Sequence, residues 1–155
     1  MRFTKKDWNQ TLWVKPTQLD KEKEWYHVDA NGQILWRMAV DIAMKLQGKH
    51  KTSYCDFWDA GDFVVVTNVE KLAVTGYKMT QKEYHTYSGR KGNVKSSTLH
   101  VMMKHKPEQV LWLAVRGMLP KNKLRDKRMK RLKMFVWESH DYGQITMKSL
   151  QATSE

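Results

Sequence analysis

Cysteine, proline and long apolar runs are all scarce in this sequence. Its single cysteine, Cys55, has no partner for an intramolecular disulfide, so a disulfide framework is excluded. No apolar run approaches the roughly 20 residues that a membrane-spanning helix needs. The first residues, MRFTKKDWNQ, also lack the apolar block of a secretory signal. We therefore expect neither a membrane partner nor an extracellular disulfide scaffold.

Acidic residues are also few relative to basic ones. Sixteen Asp and Glu face 28 Lys and Arg, which gives a formal net charge of +12. The segment GMLPKNKLRDKRMKRLK, residues 117–133, holds eight of the basic residues and one carboxylate, Asp126. A solvated helix face is one interpretation of such a segment. A local excess of this size is more typical of a protein that binds a polyanion, and we favour nucleic acid as the partner.

No arrangement typical of an enzyme or a metal site is present. His100 and His105 are five residues apart, so on a helix they point about 140° apart and cannot share an ion. A Walker phosphate loop needs Lys directly after its second Gly, whereas Asn93 and Val94 separate Gly92 from Lys95. We predict no catalytic activity, metal, cofactor or small-molecule substrate.

Acidic and aromatic residues allow two further interpretations. In DFWDAGD, residues 56–62, the three Asp precede a predicted strand, where Asp commonly shapes turns, so we favour a structural role. Four of the seven tryptophans have no clear place in a predicted core and are candidates for stacking on RNA or docking on a neighbouring protein. These are Trp8, Trp13, Trp36 and Trp58.

The apolar pattern predicts an α/β fold. A helix is indicated by six apolar residues that recur at helical spacing and end before Gly48. They are Leu35, Met38, Ala39, Ile42, Ala43 and Leu46. The run FVVVTN, residues 63–68, does not alternate, which is typical of a strand buried on both faces of a parallel sheet.

Other elements are predicted along the chain. Strands are expected at residues 25–29, 72–75, 82–87 and 134–137, and a loop at 88–97. Helices are expected over residues 98–105, from Pro107 onward, and within the basic segment. We divide the chain into an N-terminal arm (1–24), one α/β domain (25–138) that includes segment 117–133, and a C-terminal tail (139–155).

Four stretches carry a family resemblance. They are WYHVDANGQIL at 25–35, LQGKHK at 46–51, DAGDFVVVTNVEKLAVTGYK at 59–78 and GMLPKNKL at 117–124. By these motifs the chain resembles the universal large-subunit ribosomal protein family thirteen, of bacterial or organellar type. The resemblance implies a three-layer α/β/α fold with a small, mainly parallel four-stranded sheet and a basic helical extension.

The same resemblance implies a function. Members are non-enzymatic structural components of the large ribosomal subunit that bind its rRNA and contact neighbouring large-subunit proteins. A non-ribosomal RNA-binding regulator is the alternative. The loop SGRKGN at 88–93 departs from the usual family pattern, as does Trp36 before the helix arginine. These departures favour the mitochondrial matrix over the bacterial cytoplasm as the location.

Together, the charge pattern and the resemblance nominate RNA-binding residues in four parts of the chain. The predicted set is Arg37, Lys49, His50, Lys51, Arg90, Lys91, Lys95, Lys121, Asn122, Lys123, Arg125, Lys127, Arg128, Lys130, Arg131 and Lys133.

Overall fold

The computed structural model describes Thr17 and residues 22–150, so most of the predicted arm and residues 151–155 lie outside the described residues. The strands of the described part are β1 (Trp25–Asp29), β2 (Phe63–Thr67), β3 (Glu83–Tyr87), β4 (Val94–Thr98), β5 (Leu132–Met134) and β6 (Lys148–Ser149). Its helices are α1 (Leu35–Gln47), α2 (Lys78–Gln81), α3 (Leu99–His105), α4 (Pro107–Met118) and α5 (Leu124–Lys130), with a 3-10 turn at Val69–Lys71.

Four strands form the central sheet in the order β5-β2-β1-β6, and every pairing in it is parallel. Trp25 lies opposite Phe63 in the β1–β2 register. The sheet confirms the predicted α/β fold with a small, mainly parallel four-stranded sheet. Its membership differs from the prediction at three places. The strand expected at residues 134–137 lies earlier in the chain, at Leu132–Met134. Residues 72–75 make only an isolated bridge through Ala73, and the fourth strand is β6.

Helix packing on one face of the sheet follows the apolar spacing of α1. All six apolar residues predicted to share a face are buried there, together with Val28 and Val66 of the sheet. Burying a Val or Leu side chain contributes about 1.5–3 kcal/mol, so this layer supplies much of the stability. Gly48 ends the helix as predicted, with φ at 81° and its N–H donated to the Met44 carbonyl over 3.0 Å.

Aromatic side chains of the C-terminal segment cover the other face of the sheet. Trp25 stacks on Phe63 with ring centroids 4.3 Å apart, and Tyr142 lies 5.3 Å from Trp25. His140 lies 5.6 Å from His27. Part of the predicted tail therefore packs on the sheet, and its residues 148–149 form β6. The division of the chain at residues 24 and 138 stays a prediction.

A separate antiparallel hairpin is formed by β3 and β4, which pair from Glu83–Thr98 to Tyr87–Val94. The strand expected at residues 82–87 is confirmed. The expected loop at 88–97 is too long, because β4 begins at Val94 and only residues 88–93 form the turn. Residues of β4 are exposed on both faces, so they carry no alternating apolar pattern by which a strand is recognised.

Candidate nucleic-acid interface

The basic segment forms helix α5, whose two sides differ in exposure. Asn122 Oδ1 accepts a hydrogen bond from the Leu124 N–H over 3.2 Å at the start of the helix. Arg128 and Met129 on one side are buried, whereas Lys127 and Lys130 are exposed. The predicted helix is therefore present, but it packs against the domain along one side.

Two of the predicted RNA-binding residues lie on the buried side. Arg128 is 1% exposed and Arg131 is 6% exposed. Both terminal nitrogens of Arg131 donate hydrogen bonds to the Asp59 carboxylate, and Nη2 lies 2.6 Å from Asp59 Oδ1. Arg128 Nε lies 3.7 Å from the same oxygen. The expectation that these two arginines face RNA is corrected, since a carboxylate of the protein itself holds them in the interior.

The segment that joins α1 to β2, residues 48–62, positions the side chains of Arg128 and Arg131. Asp62 donates its N–H to the Lys45 carbonyl over 3.1 Å, and Arg131 Nη2 donates to the Leu46 carbonyl over 3.0 Å. A Cβ at Gly61 would lie 1.8 Å from the Leu46 oxygen, so only glycine allows this approach. Because the last carbonyls of a helix carry partial negative charge, a guanidinium beside them is favourable.

A second internal cluster surrounds Asp62, whose side chain is 0% exposed. Its Oδ1 accepts the Glu24 N–H over 3.0 Å and pairs with Lys51 Nζ, while His50 Nε2 lies 2.9 Å from Oδ2. Lys51 also donates to the Glu22 carbonyl over 2.8 Å. Two further residues predicted to bind RNA, His50 and Lys51, thus tie the turn after α1 to the start of the sheet.

The environment of His50 disfavours its charged form. Burial lowers the pKa of its imidazole, the nearby Lys45 lowers it further, and the Asp62 carboxylate opposes the change. A neutral imidazole beside Asp62 adds no positive charge to the cluster. His50 thus makes a close contact with the buried Asp62, although the residue itself is exposed.

The remaining predicted residues lie at or near the surface. Arg125 and Lys133 are half-buried. The exposed ones are Arg37, Lys49, Arg90, Lys91, Lys95, Lys121, Asn122, Lys123, Lys127 and Lys130. Within this set we name two groups. The basic-segment lysines are Lys121, Lys123, Lys127 and Lys130; the hairpin cations are Arg90, Lys91 and Lys95.

The two groups share one electrostatic property. Among residues 22–150, no carboxylate forms an ion pair with a basic-segment lysine or with a hairpin cation. They lie on different elements, since α5 packs on α1, whereas the hairpin packs on α2 and α3. The structure thus separates the basic residues into an internally paired class and an exposed class that is available to an external polyanion.

Two lysines lie over aromatic rings next to the hairpin, and none of the residues in these contacts belongs to the predicted RNA-binding set. Lys78 Nζ lies 4.5 Å from the centre of the Trp36 ring. Lys82 Nζ lies 5.6 Å from the same ring and 5.3 Å from that of Tyr84. The only sequence signal was that Trp36 lacks a clear place in the core. Of the other tryptophans without such a place, Trp58 is half-buried, and Trp8 and Trp13 lie outside the described residues.

Among the described residues, no group of three or more His, Cys, Asp or Glu is placed to hold a metal ion. In the same part of the chain, no helix has the length and apolar character to cross a membrane.

Comparison with known proteins gives a consistent set of relatives. The sequence profile of the family described as Ribosomal protein L13 matches residues 23–141. Large ribosomal subunit protein uL13 of Syntrophus aciditrophicus is 49% identical over 118 residues, which cover 76% of this chain and 83% of that protein. The protein of the same name in Persephonella marina is 46% identical over 89% of this chain and 92% of its own length. In Thermotoga maritima it is 44% identical over 86% and 88%, respectively.

Proposed function

The chain belongs to the ribosomal protein L13 family, and on this premise we propose that it is a structural constituent of the large ribosomal subunit, bound to the rRNA of that subunit. As a member of a ribosomal protein family it acts by binding rather than by catalysis. The relatives give the non-ribosomal RNA-binding regulator no support, because each of them carries the name of a large-subunit protein.

The observation that carries the proposed contact surface is the separation of the basic residues into two classes. Asp59 and Asp62 pair with four of the predicted side chains; Arg128 and Arg131 are buried, whereas Lys51 is half-buried and His50 is exposed. The basic-segment lysines and hairpin cations are exposed and form no ion pair with a described carboxylate. An exposed cation loses no internal partner when it meets a phosphate, so these groups are the favoured rRNA contacts.

Counterion release is the physical basis of the interaction. Each exposed lysine that neutralises a phosphate displaces condensed counterions, so the binding constant falls as salt rises, by about 0.7–0.9 in the logarithmic slope for each contact. Such contacts fix the position of the protein without reading base sequence. Selection of one rRNA region would then depend on its folded shape and 2′-hydroxyl groups.

Two finer points remain part of the proposal. Neighbouring large-subunit proteins are expected partners of surfaces that rRNA leaves uncovered. The location is the large ribosomal subunit; the mitochondrial matrix stays a prediction from the sequence departures alone. The three relatives named above are bacterial and lend that preference no support.

Sedimentation tests the proposal directly. A tagged copy is produced in the cells that make this protein, and ribosomal particles are washed with high salt before being separated on a gradient. The account predicts that the chain co-migrates with the large subunit after the wash. Recovery of the chain only at the top of the gradient would overturn it.

A variant sharpens that experiment. Replacing Lys121, Lys123, Lys127 and Lys130 by Glu should release the protein from the particle at lower salt, because phosphates then face carboxylates. Replacing the same four residues by Arg keeps the charge and should leave co-migration unchanged. Equal retention of the Glu and Arg variants would remove the basic-segment lysines from the contact surface.

A further inference from the structure

An open groove of about 380 Å³ lies between the β3–β4 hairpin and the helices α3 and α4. Tyr84 and Ser97 form one wall from the hairpin, and Met102 and His105 form the other from α3. Leu113 of α4 also lines it. No residue predicted to bind RNA lines this groove, so its role is not covered by the contacts proposed above.

Strand register places a cation of the hairpin on the groove side. Tyr84 pairs with Ser97, and Thr86 pairs with Lys95, so these four residues share one face of the hairpin. Tyr84, Thr86 and Ser97 line the groove. Lys95 therefore lies on the same face, one pair closer to the turn that carries the other hairpin cations.

The lining combines apolar surface, hydrogen-bonding groups and positive charge. Met102 and Leu113 supply apolar surface, and Tyr84 supplies an aromatic ring that burial has partly desolvated, which raises the pKa of its hydroxyl. Lys106 and His105 lie at the groove, and none of its described lining residues carries a carboxylate. A flat aromatic ligand with polar edges and a negatively charged attachment matches this combination.

We propose that this groove binds one unpaired nucleotide of RNA, with its base against Tyr84 and Met102 and its phosphate near Lys95 and Lys106. The inference rests on the proposed function, since it names the form of RNA that this part of the protein takes. Stacking on an aromatic side chain accepts any base, whereas polar side chains such as Thr86 and Ser97 can bond the base edge.

Size and charge favour a single nucleotide over other occupants. The volume lies near the lower end of the roughly 300–1,000 Å³ typical of small-molecule sites, which fits one extruded base with its sugar but not a duplex. A protein side chain of basic character would meet Lys106 and His105 without an acidic partner. The groove therefore complements a base that an RNA loop or bulge presents unstacked.

Two adjacent serines of β4 provide a matched test. Ser97 pairs with Tyr84 on the groove face, and Ser96 pairs with His85 on the opposite face; both are exposed. Ser97→Trp fills the groove from the hairpin wall, whereas Ser96→Trp adds the same side chain on the other side. Neither position is in the hydrophobic core, and circular dichroism of each variant checks that the fold is kept.

Affinity is measured by fluorescence anisotropy with a labelled hairpin RNA that carries one single-nucleotide bulge and with the same hairpin without the bulge. The wild-type chain is expected to bind the bulged RNA at least ten-fold more tightly than the perfect hairpin. Ser97→Trp should abolish that preference while leaving affinity for the perfect hairpin within two-fold. Ser96→Trp should keep the preference. Photo-crosslinking of 4-thiouridine at the bulge should label the peptide that contains Tyr84 or Met102.

The outcomes separate this inference from the proposed function. If both RNAs bind and Ser97→Trp leaves the preference intact, or if the crosslink maps away from the groove, the nucleotide site is wrong and the ribosomal role stands. If Ser97→Trp keeps RNA affinity but weakens retention in washed large subunits, the groove holds a protein neighbour and the inference is overturned. If neither RNA binds even at low salt, both accounts are contradicted.

Discussion

Arg131 and Asp59, 72 residues apart in sequence, meet in a two-point contact between guanidinium and carboxylate at the C-terminal end of α1. This contact shows that the basic segment contains structural residues as well as exposed cations. The arginine is part of the framework that fixes α5 on the domain. The lysines on the outer side of the same helix are thereby held at fixed positions on the surface, where they can meet a rigid array of phosphates.

Removing the carboxylate should therefore destabilise the fold. Asp59→Asn leaves Arg131 and Arg128 buried with no anionic partner, which we expect to lower the unfolding free energy by about 3 kcal/mol. Urea denaturation monitored by circular dichroism measures the change. Asp126→Asn, which removes an exposed carboxylate of α5, is the control and should cost less than about 1 kcal/mol.

A double-mutant cycle isolates the pair. Combining Asp59→Asn with Arg131→Met removes the unpaired charge at position 131, so the loss should be smaller than the sum of the two single losses. Strict additivity would show that Asp59 stabilises the fold without contacting Arg131.

Gly61 is expected to be intolerant of any side chain. A Cβ there would lie 1.8 Å from the Leu46 carbonyl oxygen and 2.6 Å from Arg131 Nη2, so Gly61→Ala must push the turn away from α1. We expect a loss of about 3 kcal/mol or a failure to fold. Gly117→Ala is the matched control, because nothing lies within 4 Å of its Cβ and α4 should gain about 0.5–1 kcal/mol. Equal thermal stability of the two variants would contradict the close approach.

Stability should also fall in mildly acidic solution. Burial lowers the pKa of His27, with a further decrease from His140, and burial likewise lowers the pKa of His50. Below the ordinary histidine pKa of about 6.5, the unfolded chain binds more protons than the folded one, so the unfolding free energy rises with pH in this window. The urea midpoint is therefore expected to be lower at pH 5.5 than at pH 7.5.

Variants of the histidines identify the source of that dependence. His27→Gln should flatten the change in urea midpoint between pH 7.5 and 5.5, since it removes one titrating group. His100→Gln replaces an exposed histidine of α3 and should leave the change as it is in the wild-type chain. A midpoint that rises on acidification would show that the folded state prefers the charged imidazoles.

Elements with a strong local pattern were predictable from the sequence, including β1 at residues 25–29 and α1, whose six apolar residues share one face. Gly48 marks the helix end because its left-handed conformation suits glycine. In contrast, residues 72–75 have strand-like composition but follow a 3-10 turn, and their only bridge joins Ala73 to Ile34, outside the central sheet. β4 was missed because exposure on both faces leaves no alternation.

Burial within the basic segment could not be predicted, and the reason is physical. Arg128 and Lys127 are adjacent basic residues in the same stretch of sequence. Arg128 is the buried one, and it pairs with Asp59, which is distant in sequence. Likewise, the sequence around Lys51 is typical of an exposed basic loop. Only the three-dimensional structure shows that Asp62 lies beside Lys51. Charge density predicts a polyanion-binding surface, whereas the side chains that form it depend on tertiary pairing between residues far apart in sequence.

The most direct measurement of the central claim is the salt dependence of RNA affinity for two sets of variants. The account predicts that Lys121→Gln, Lys123→Gln, Lys127→Gln and Lys130→Gln combined lower the slope of log K against log salt by about 3, as expected for the loss of four phosphate contacts. The double variant Arg128→Met, Arg131→Met, where it folds, should leave the slope within experimental error of the wild type. A slope that is unchanged by the four lysine substitutions, or that falls only with the two arginines, would contradict the account.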